Sequence, residues 1–557
     1  MFRSPLRVTR RAFLKTAAAG LALPASLYAQ SPDAPQVLYN GIRQAMPWPP
    51  NHGLPSGLAE RPPYLASPPA MIDIDLGRQL FVDDFLIEES SCHRAFHRAT
   101  YHHANPILSP TTEWERRDPH AINTRTPASS AAMVFSDGVF FEPRERLFKM
   151  WYMAGYQQHT ALATSRDGVA WERPRLDVVP GTNIVSNEPR DSSTVWLDLD
   201  AADPASRYKM AAYHLPTGRL RLRTSPDGIH WREVGVSGPC GDRSTMFRNP
   251  FRGTWTFSLR DNDEVVLRRY RRYFESRDFA GARWSAGEPV PWTSADALDV
   301  KRAEMTERPE LYNLDAVAYE SLMLGLFTIF RGERNDREKP NDICLGFSRD
   351  GFHWDRPSRD AFISVSERQG DWNWANVQSA GGGCVVVGDR LYFYVSGREG
   401  IPGTGLPGRC STGLATLRRD GFASVTDEWP RGVPRRVTAG KATITTRPVR
   451  FSGSHAFVNA RVDGELRVEI LDRDGRVIEP FSFERSVPIT GDGTRLPLAW
   501  AGGASLGQLA GQPVRFRFTL SRAALFAFWV SRSPAGHSQG YVAGGGPGYG
   551  GSRDAGL

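Results

Sequence analysis

Short apolar runs of strand length recur along most of this chain and are separated by polar and turn-forming residues. Phe148–Ala154 and Tyr208–Tyr213 are two such runs, and Ala524–Val530 is a third that is wholly apolar. Val514–Leu520 instead alternates apolar with basic or hydroxyl side chains, which is typical of a half-buried strand. The pattern predicts an all-β protein.

A tight-turn motif of the form Ser-x-Asp-Gly punctuates this pattern five times, at intervals of 51 to 72 residues. Asp-Gly pairs favour tight turns because glycine accepts the positive φ that such turns need. A strand-rich unit of this length is typical of one four-stranded blade, so five copies predict a five-bladed β-propeller. One aspartate per blade at an outer turn indicates a structural role rather than a catalytic one. The complete copies are Ser165–Trp171, Ser225–Trp231 and Ser348–Trp354, and the reduced copies are Ser276–Phe279 and Arg418–Phe422.

Changes in composition divide the chain into further regions. Residues 30–71 are rich in proline and glycine and predict an extended arm, and residues 72–432 are expected to hold the propeller. Residues 438–532 carry shorter strands and predict a C-terminal β-sandwich, whereas the glycine-rich residues 533–557 are expected to be disordered. We expect the segment 72–110 to pack against a blade or to complete one. The blades themselves are expected near residues 125–175, 194–235, 243–290, 311–358 and 376–428.

Residues 1–29 have the features of a twin-arginine signal peptide. Thr9–Lys15 matches the twin-arginine consensus, Thr16–Leu23 is a small-residue apolar stretch, and a cleavage site is expected after Ala29. The mature chain is therefore expected to be periplasmic or secreted. The apolar stretch is shorter than the ~20 residues of a membrane-spanning helix, so we expect no membrane insertion once the signal is removed.

The formal charge of +8 gives no case for a nucleic-acid partner. Residues 1–29 contain five basic residues and no acid, which leaves residues 30–557 with a formal charge of only +3. The five cysteines are widely spaced, without a CxxC pair or a histidine at metal-ligand spacing. We therefore expect no nucleic acid, no metal and no organic cofactor, and the oligomeric state stays open.

Several segments resemble those of glycoside hydrolases with propeller folds. Asn105–Leu108 followed by Trp114-Glu115 resembles the first strand of family 43 and family 130 propellers. A five-bladed propeller followed by a β-sandwich is similar to the family 32 arrangement, and the resemblance covers most of residues 72–532. This sequence lacks the Trp-Met-Asn-Asp-Pro-Asn-Gly and Glu-Cys motifs of family 32, so fructans are not indicated as substrates. The other segments that resemble a bacterial family-32-like group are Phe148–Tyr152, Arg207–Met210, Leu391–Tyr394, Thr443–Phe457, Val468–Asp472 and Pro513–Phe518.

The resemblance implies three acids, one on each of three early blades. Glycoside cleavage requires two carboxyl groups at the scissile bond, one protonated and one ionised. We expect Asp118 to be the nucleophile or general base and Asp242 to stay ionised beside Arg243. Glu310 is expected to be the general acid, in a partly dry pocket. Asp191 and Glu320 are the nearest alternatives for these roles. The residues expected to line the funnel and bind substrate are Asp191, Arg125, Arg243, Glu320, Trp374, Asn376 and Gln378.

The first hypothesis for function is an exported glycoside hydrolase that cleaves a plant, algal or microbial polysaccharide or oligosaccharide. A carbohydrate-binding propeller without catalysis is the alternative from a different class. A third hypothesis is a glycoside phosphorylase similar to those of family 130, in which Arg243 and Arg125 would bind phosphate.

Overall fold

The computed structural model describes residues 36–116, 129–263, 268–305, 308–332, 337, 339–429 and 441–556. The expected signal peptide, Asp118 and Arg125 lie outside these residues. Within them the chain is almost entirely β-structure, with one short α-helix, α1 (Pro63–Ala66), and four single 3₁₀ turns at Glu113–Glu115, Pro204–Ser206, Glu479–Phe481 and Leu506–Leu509. None of the helices in the described part of the chain has the length and apolar character needed to cross a membrane.

Five short strands follow the N-terminal arm and are used by two different parts of the fold. They are β1 (Ile72–Asp73), β2 (Gln79–Leu80), β3 (Ile87–Ser90), β4 (His93–Phe96) and β5 (Thr100–Tyr101).

Three complete four-stranded antiparallel blades come next. Blade I comprises β6 (Ala132–Glu142), β7 (Leu147–Ala154), β8 (His159–Ser165) and β9 (Ile184–Ser186). Blade II comprises β10 (Ser193–Leu197), β11 (Tyr208–His214), β12 (Arg219–Ser225) and β13 (Arg232–Pro239). Blade III comprises β14 (Thr245–Asn249), β15 (Thr254–Asp263), β16 (Arg268–Ser276) and β17 (Val290–Ser294).

The last two blades borrow strands from elsewhere in the chain. Blade IV contains β18 (Glu310–Glu320), β19 (Leu322–Phe330) and β20 (Asn341–Ser348). Blade V contains β21 (Asn376–Ser379), β22 (Val385–Val387), β23 (Arg390–Arg398) and β24 (Cys410–Arg418). Its outer strand is β5, which pairs antiparallel with β24 through Tyr101 and Ala415. The N-terminal segment thus completes the ring, and the five-bladed β-propeller predicted from the repeat is confirmed.

The repeated turn motif occupies the same place in every blade, directly after the third strand. In the complete copies the serine hydroxyl bonds the aspartate carboxylate and accepts from the glycine N–H, as Ser225 does at 2.9 Å and 2.8 Å. The same carboxylate, that of Asp227, accepts two further backbone N–H groups. These carboxylates are fully engaged in holding the turn, as the structural interpretation predicts.

Each complete turn also docks on the neighbouring blade. The Trp151 indole of blade I donates to the Gly228 carbonyl of blade II at 2.8 Å. Trp292 of blade III donates in the same way to Phe352 of blade IV at 2.7 Å. The repeat therefore supplies contacts between blades as well as turns within them, which is why each unit needs its neighbour.

Among the described residues, seven strands follow blade V, and five of them belong to one bulged sheet over an apolar core. The seven strands are β25 (Ala423–Thr426), β26 (Ala442–Thr446), β27 (Val449–Arg450), β28 (His455–Leu471), β29 (Ile489–Pro497), β30 (Arg515–Ser531) and β31 (Tyr541–Val542). The eight-stranded sheet contains β25, β26, β28, β29 and β30 together with β2, β3 and β4. Bulges near Asn459 and Val462 interrupt the pairing of β28 with β30, and bulges bend strands.

Two boundary predictions differ from the structure. Residues 72–96 were assigned to the propeller, but β2, β3 and β4 pair within the C-terminal sheet, and β1 pairs with β27. The tail after residue 532 was expected to be disordered, but β31 pairs with β18 of blade IV. Glycine is required in this tail for close approach, because a Cβ on Gly546 would lie 1.9 Å from the Val386 carbonyl oxygen. The glycine content therefore reflects packing rather than flexibility.

Candidate active site in the propeller funnel

The first strands of the blades, β6, β10, β14, β18 and β21, bring polar side chains from distant parts of the chain together. Ser192, just before β10, donates to the Ser244 carbonyl just before β14 at 3.0 Å. Thr245 donates to the Leu314 carbonyl of β18 at 2.8 Å. The beginnings of these strands therefore form a continuous polar region, which we call the funnel.

A bulge in β6 directs polar side chains of blade I towards the other blades. The register of β6 against β7 shifts between Met133 and Gly138, and Phe135 within this bulge has φ of 49°. A positive φ at a bulky residue is strained, and such strain is concentrated at functional sites. The bulge places Ser136 and Asp137 in contact with Arg243 and Arg190 of blades III and II.

Two of the polar groups in the funnel are buried carboxyl groups, those of Asp137 and Asp315. Asp137 accepts from Arg190 at 2.8 Å. Asp315 of β18 accepts from Asn313 at 2.7 Å and from Ser379 at 2.5 Å. Burial raises the pKa of each to about 6, although Arg190 acts against the rise at Asp137 and Arg243 against the rise at Asp315. Both groups therefore titrate far closer to neutral pH than an ordinary aspartate.

Asp191 combines burial with an unsatisfied acceptor. One carboxylate oxygen accepts from the Gln157 amide at 2.6 Å, and the other, Oδ1, is buried without a hydrogen-bond partner in the described structure. Burial raises the pKa of Asp191, and the nearby Asp242 carboxylate raises it further, while Arg243 opposes both effects. Asp191 therefore holds a proton more readily than an ordinary aspartate, and its Oδ1 has no hydrogen-bond partner among the described residues.

Asp242 lies beside Asp191 in a wetter position, and its partner differs from the expected one. Its side chain is 42% exposed and pairs with Arg260 of β15, not with the adjacent Arg243. Arg243 instead turns inwards and donates to the Ser136 hydroxyl at 2.9 Å.

Glu310 begins β18 and is nearly buried, with 7% of its side chain exposed. The guanidinium groups of Arg269 and Arg268 lie 3.1 Å and 3.7 Å from its carboxylate oxygens. Two adjacent cations stabilise a carboxylate, whereas the expected general acid must hold a proton. Its catalytic role stays a prediction.

The remaining predicted funnel residues divide into two groups. Asn376 donates to the Lys339 carbonyl at 2.7 Å and accepts from Gln378 at 2.6 Å, which leaves the Gln378 carbonyl oxygen buried and unsatisfied among the described residues. Trp374 is buried, and the Arg337 guanidinium lies 5.1 Å from its ring centre. That cation occupies a ring face which a sugar would need for stacking.

The structure places Glu320 at the opposite end of β18 from the funnel residues, and its role in substrate binding stays a prediction. Glu320 ends β18, ten residues after Glu310, and a strand rises by ~3.3 Å per residue, so the two are about 33 Å apart. It is fully buried and accepts from Arg419 at 3.0 Å and Ser538 at 2.7 Å. This carboxylate joins blade IV to blade V and to the tail.

Sequence reasoning missed Asp137, Asp315 and Arg190. The predicted acids lie just ahead of the first strands or begin them, whereas Asp137 and Asp315 lie within those strands. A charged residue inside an otherwise apolar strand, as in Leu314-Asp315-Ala316, is the signal that was available, because such residues are seldom buried without a purpose.

No metal site accompanies these carboxyl groups in the part of the chain that the structure describes, where no cluster of three or more histidine, cysteine, aspartate or glutamate residues could hold an ion.

Comparisons with known proteins find distant structural similarity only. No family model matches the chain, and no curated protein matches it in sequence. It is similar to an N-acetylgalactosamine deacetylase from F. plautii in complex with blood group B trisaccharide (15% identity, 60% of this chain and 97% of that one, TM-score 0.37).

The chain is also similar to a thermostable family-43 glycoside hydrolase (12% identity, 57% and 99% coverage, TM-score 0.38). A fructofuranosidase from Schwanniomyces occidentalis complexed with fructosylnystose is a third similar structure (12% identity, 76% and 96% coverage, TM-score 0.33). Family 43 is among the families that the sequence resembles. At this distance the similarities assign no substrate and no residue role to this chain.

Proposed function

We propose that this chain is a glycoside hydrolase that cleaves a poly- or oligosaccharide in the funnel with a pair of carboxyl groups. The observation that carries the proposal is the closeness of the buried Asp191 to the partly exposed Asp242. Burial and the nearby Asp242 raise the pKa of Asp191, whereas Asp242 is partly exposed and pairs with Arg260. Glycosidases divide acid and base roles between two carboxyl groups whose environments differ in this way.

Asp191 is the proposed proton donor. Burial and the neighbouring Asp242 charge favour its protonated form, and Oδ1 has no competing partner among the described residues. In the reaction Asp191 would protonate the glycosidic oxygen as the bond to the anomeric carbon breaks. The Gln157 hydrogen bond would hold the carboxyl group in place during this step.

Asp242 is the proposed ionised partner. Its exposed carboxylate pairs with Arg260, which keeps it charged and oriented while leaving it in contact with solvent. It would stabilise the positive charge that develops on the sugar ring or deprotonate the attacking water. If Asp118 has its predicted role as nucleophile or general base, Asp242 would take only the first of these two roles and stabilise the charge on the sugar ring.

Single substitutions with a leaving-group comparison test the proposal. Asp191→Asn should lower kcat/KM by about 10²- to 10⁴-fold on aryl glycosides with poor leaving groups and far less on dinitrophenyl glycosides, which need no proton. Asp242→Asn and Asp118→Asn should lower kcat/KM on both kinds of aryl glycoside. Asp203→Asn is the matched control, because this exposed residue caps a 3₁₀ turn and asparagine caps equally well. Unchanged kcat/KM in Asp191→Asn would contradict the assignment.

We also propose that the chain is exported, on the basis of the Thr9–Lys15 motif. Replacing Arg10 and Arg11 together by lysine should leave the precursor in the cytoplasm of a bacterium with a twin-arginine translocase, and fractionation with immunoblotting measures this. Export of the doubly substituted chain at the wild-type level would refute it.

A further inference from the structure

One side of the Arg243 guanidinium group, in the funnel, has no hydrogen-bond partner among the described residues. Only 2% of the residue is exposed, and among the described residues Nη1 alone has a hydrogen-bond partner, the Ser136 hydroxyl. Nε and Nη2 are buried without an acceptor in the described structure. These two atoms form the side of the guanidinium that donates two parallel hydrogen bonds to a carboxylate, sulfate or phosphate.

Other guanidinium groups lie against the same aromatic rings as Arg243. The Arg243 and Arg398 guanidinium carbons lie 3.8 Å and 5.8 Å from the centre of the same Phe135 ring. Arg269 lies 4.9 Å from the Tyr312 ring and Arg243 5.7 Å from it. Cations are thus gathered around two aromatic rings at the beginnings of blades I and IV.

The titration of Tyr312 supports the same conclusion. Burial opposes ionisation of this phenol, yet the charges of Lys339, Arg398, Arg269 and Arg243 outweigh burial and lower its pKa.

We propose that the funnel binds an acidic sugar and holds its carboxylate or sulfate on the Nε/Nη2 edge of Arg243. The inference rests on the proposed function for its location and narrows the substrate to a polysaccharide or oligosaccharide that bears uronic acid or sulfate ester groups. An oxyanion there would satisfy two buried donors and supply a counter-charge to the guanidinium, whereas a neutral hydroxyl could accept a hydrogen bond but would supply no counter-charge.

Equilibrium binding tests this without requiring turnover. D-glucuronate and sulfate are the anionic probes, phosphate is a third, and glucose is the neutral control, each titrated by calorimetry at constant ionic strength. The wild-type protein should bind glucuronate or sulfate saturably, and glucose at least about 10-fold more weakly.

The variants compared are Arg243→Lys and Arg243→Gln, with Arg473→Gln as the control that removes one charge from an exposed turn of the C-terminal sheet. Arg243→Lys keeps the charge and loses the two-pronged edge, so anion affinity should fall about 10- to 100-fold. Arg473→Gln should bind as the wild type does. If Arg243→Gln does not fold, the lysine variant and the wild-type selectivity between glucuronate and glucose still decide the question.

Three results would overturn the inference: no saturable binding of glucuronate or sulfate, equal affinity in wild type and Arg243→Lys, or binding of phosphate alone, which would instead favour phosphorolysis. Failure of the proposed function looks different. Anion binding that depends on Arg243, in a protein that cleaves no glycoside, would remove the hydrolase and retain the anion site. Cleavage of neutral chains without anion binding would remove the anion site and retain the hydrolase.

Discussion

The Gln157 amide donates a 2.6 Å hydrogen bond to Asp191 and so joins the turn after β7 in blade I to the residue that leads into β10 in blade II. A donor to a carboxylate stabilises its ionised form and works against the rise in pKa that burial causes at Asp191. This single contact therefore tunes the proposed proton donor from a neighbouring blade.

Gln157→Leu should move the pH profile of the enzyme upwards. Loss of the donor raises the pKa of Asp191 further, and the proposed reaction requires the protonated form. The alkaline limb of kcat/KM against pH should therefore shift to higher pH. Gln512→Leu, at an exposed position, should leave the limb unchanged. An unmoved limb in Gln157→Leu would argue against Asp191 as the acid.

Asp315 should make folding stability depend on pH between about 4 and 6. Burial raises its pKa in the folded protein to about 6, above the unfolded value, so the folded state binds the extra proton in this window. The stabilisation is fully present below the unfolded pKa and is lost as pH rises through 6.

Asp315→Asn should flatten this dependence. The loss of unfolding free energy between pH 4 and pH 7, measured by urea titration, should shrink by about 2–3 kcal/mol relative to wild type. The Asp203→Asn protein should keep the wild-type slope. A variant whose decline matches wild type would show that Asp315 titrates normally in the folded protein.

Gly228 should be far less tolerant of alanine than another glycine with positive φ. A Cβ at Gly228 would lie 2.5 Å from the Trp151 ring, whereas Gly253 has nothing within 4 Å. We expect Gly253→Ala to lose about 1 kcal/mol of unfolding free energy and Gly228→Ala about 2–4 kcal/mol. Equal losses in urea unfolding would mean that the turn does not dock tightly on blade I.

Glu320→Gln should destabilise the fold and leave catalysis intact. Arg419 and Arg78 would lose a fully buried counter-charge, which costs about 3–5 kcal/mol in comparable pairs. Glu465→Gln, which breaks a surface pair with Lys441, should cost less than about 1 kcal/mol. At a temperature below the unfolding transition of Glu320→Gln, its kcat/KM should equal that of wild type. A selective loss of activity would support the predicted role of Glu320 in substrate binding.

The number of blades could be predicted because the turn motif is local. Ser165, Asp167 and Gly168 bond to one another within four positions, and the same geometry recurs at Ser225 and Ser348. A pattern confined to a few neighbouring residues is preserved in the sequence, and five copies can be counted without knowledge of the tertiary structure.

Part of the candidate site could be predicted from the sequence for a related reason. Asp191, Asp242 and Arg243 precede the first strands of two blades, and a propeller brings those positions together at its axis. The residues that these side chains contact could not be predicted from the sequence. Arg260 rather than Arg243 pairs with Asp242, and the bulge at Phe135 carries Asp137 to Arg190, because these contacts depend on strand register and twist.

The sequence by itself determined the all-β class, the repeat and the chemistry available to the funnel, since these follow from residue types and short spacings. Tertiary structure alone decided that β5 completes blade V, that Glu320 meets Ser538 of the tail, and that the glycine-rich end is packed. Such pairings join residues hundreds of positions apart, and their free energy comes from burial and register in the folded chain, which no local pattern encodes.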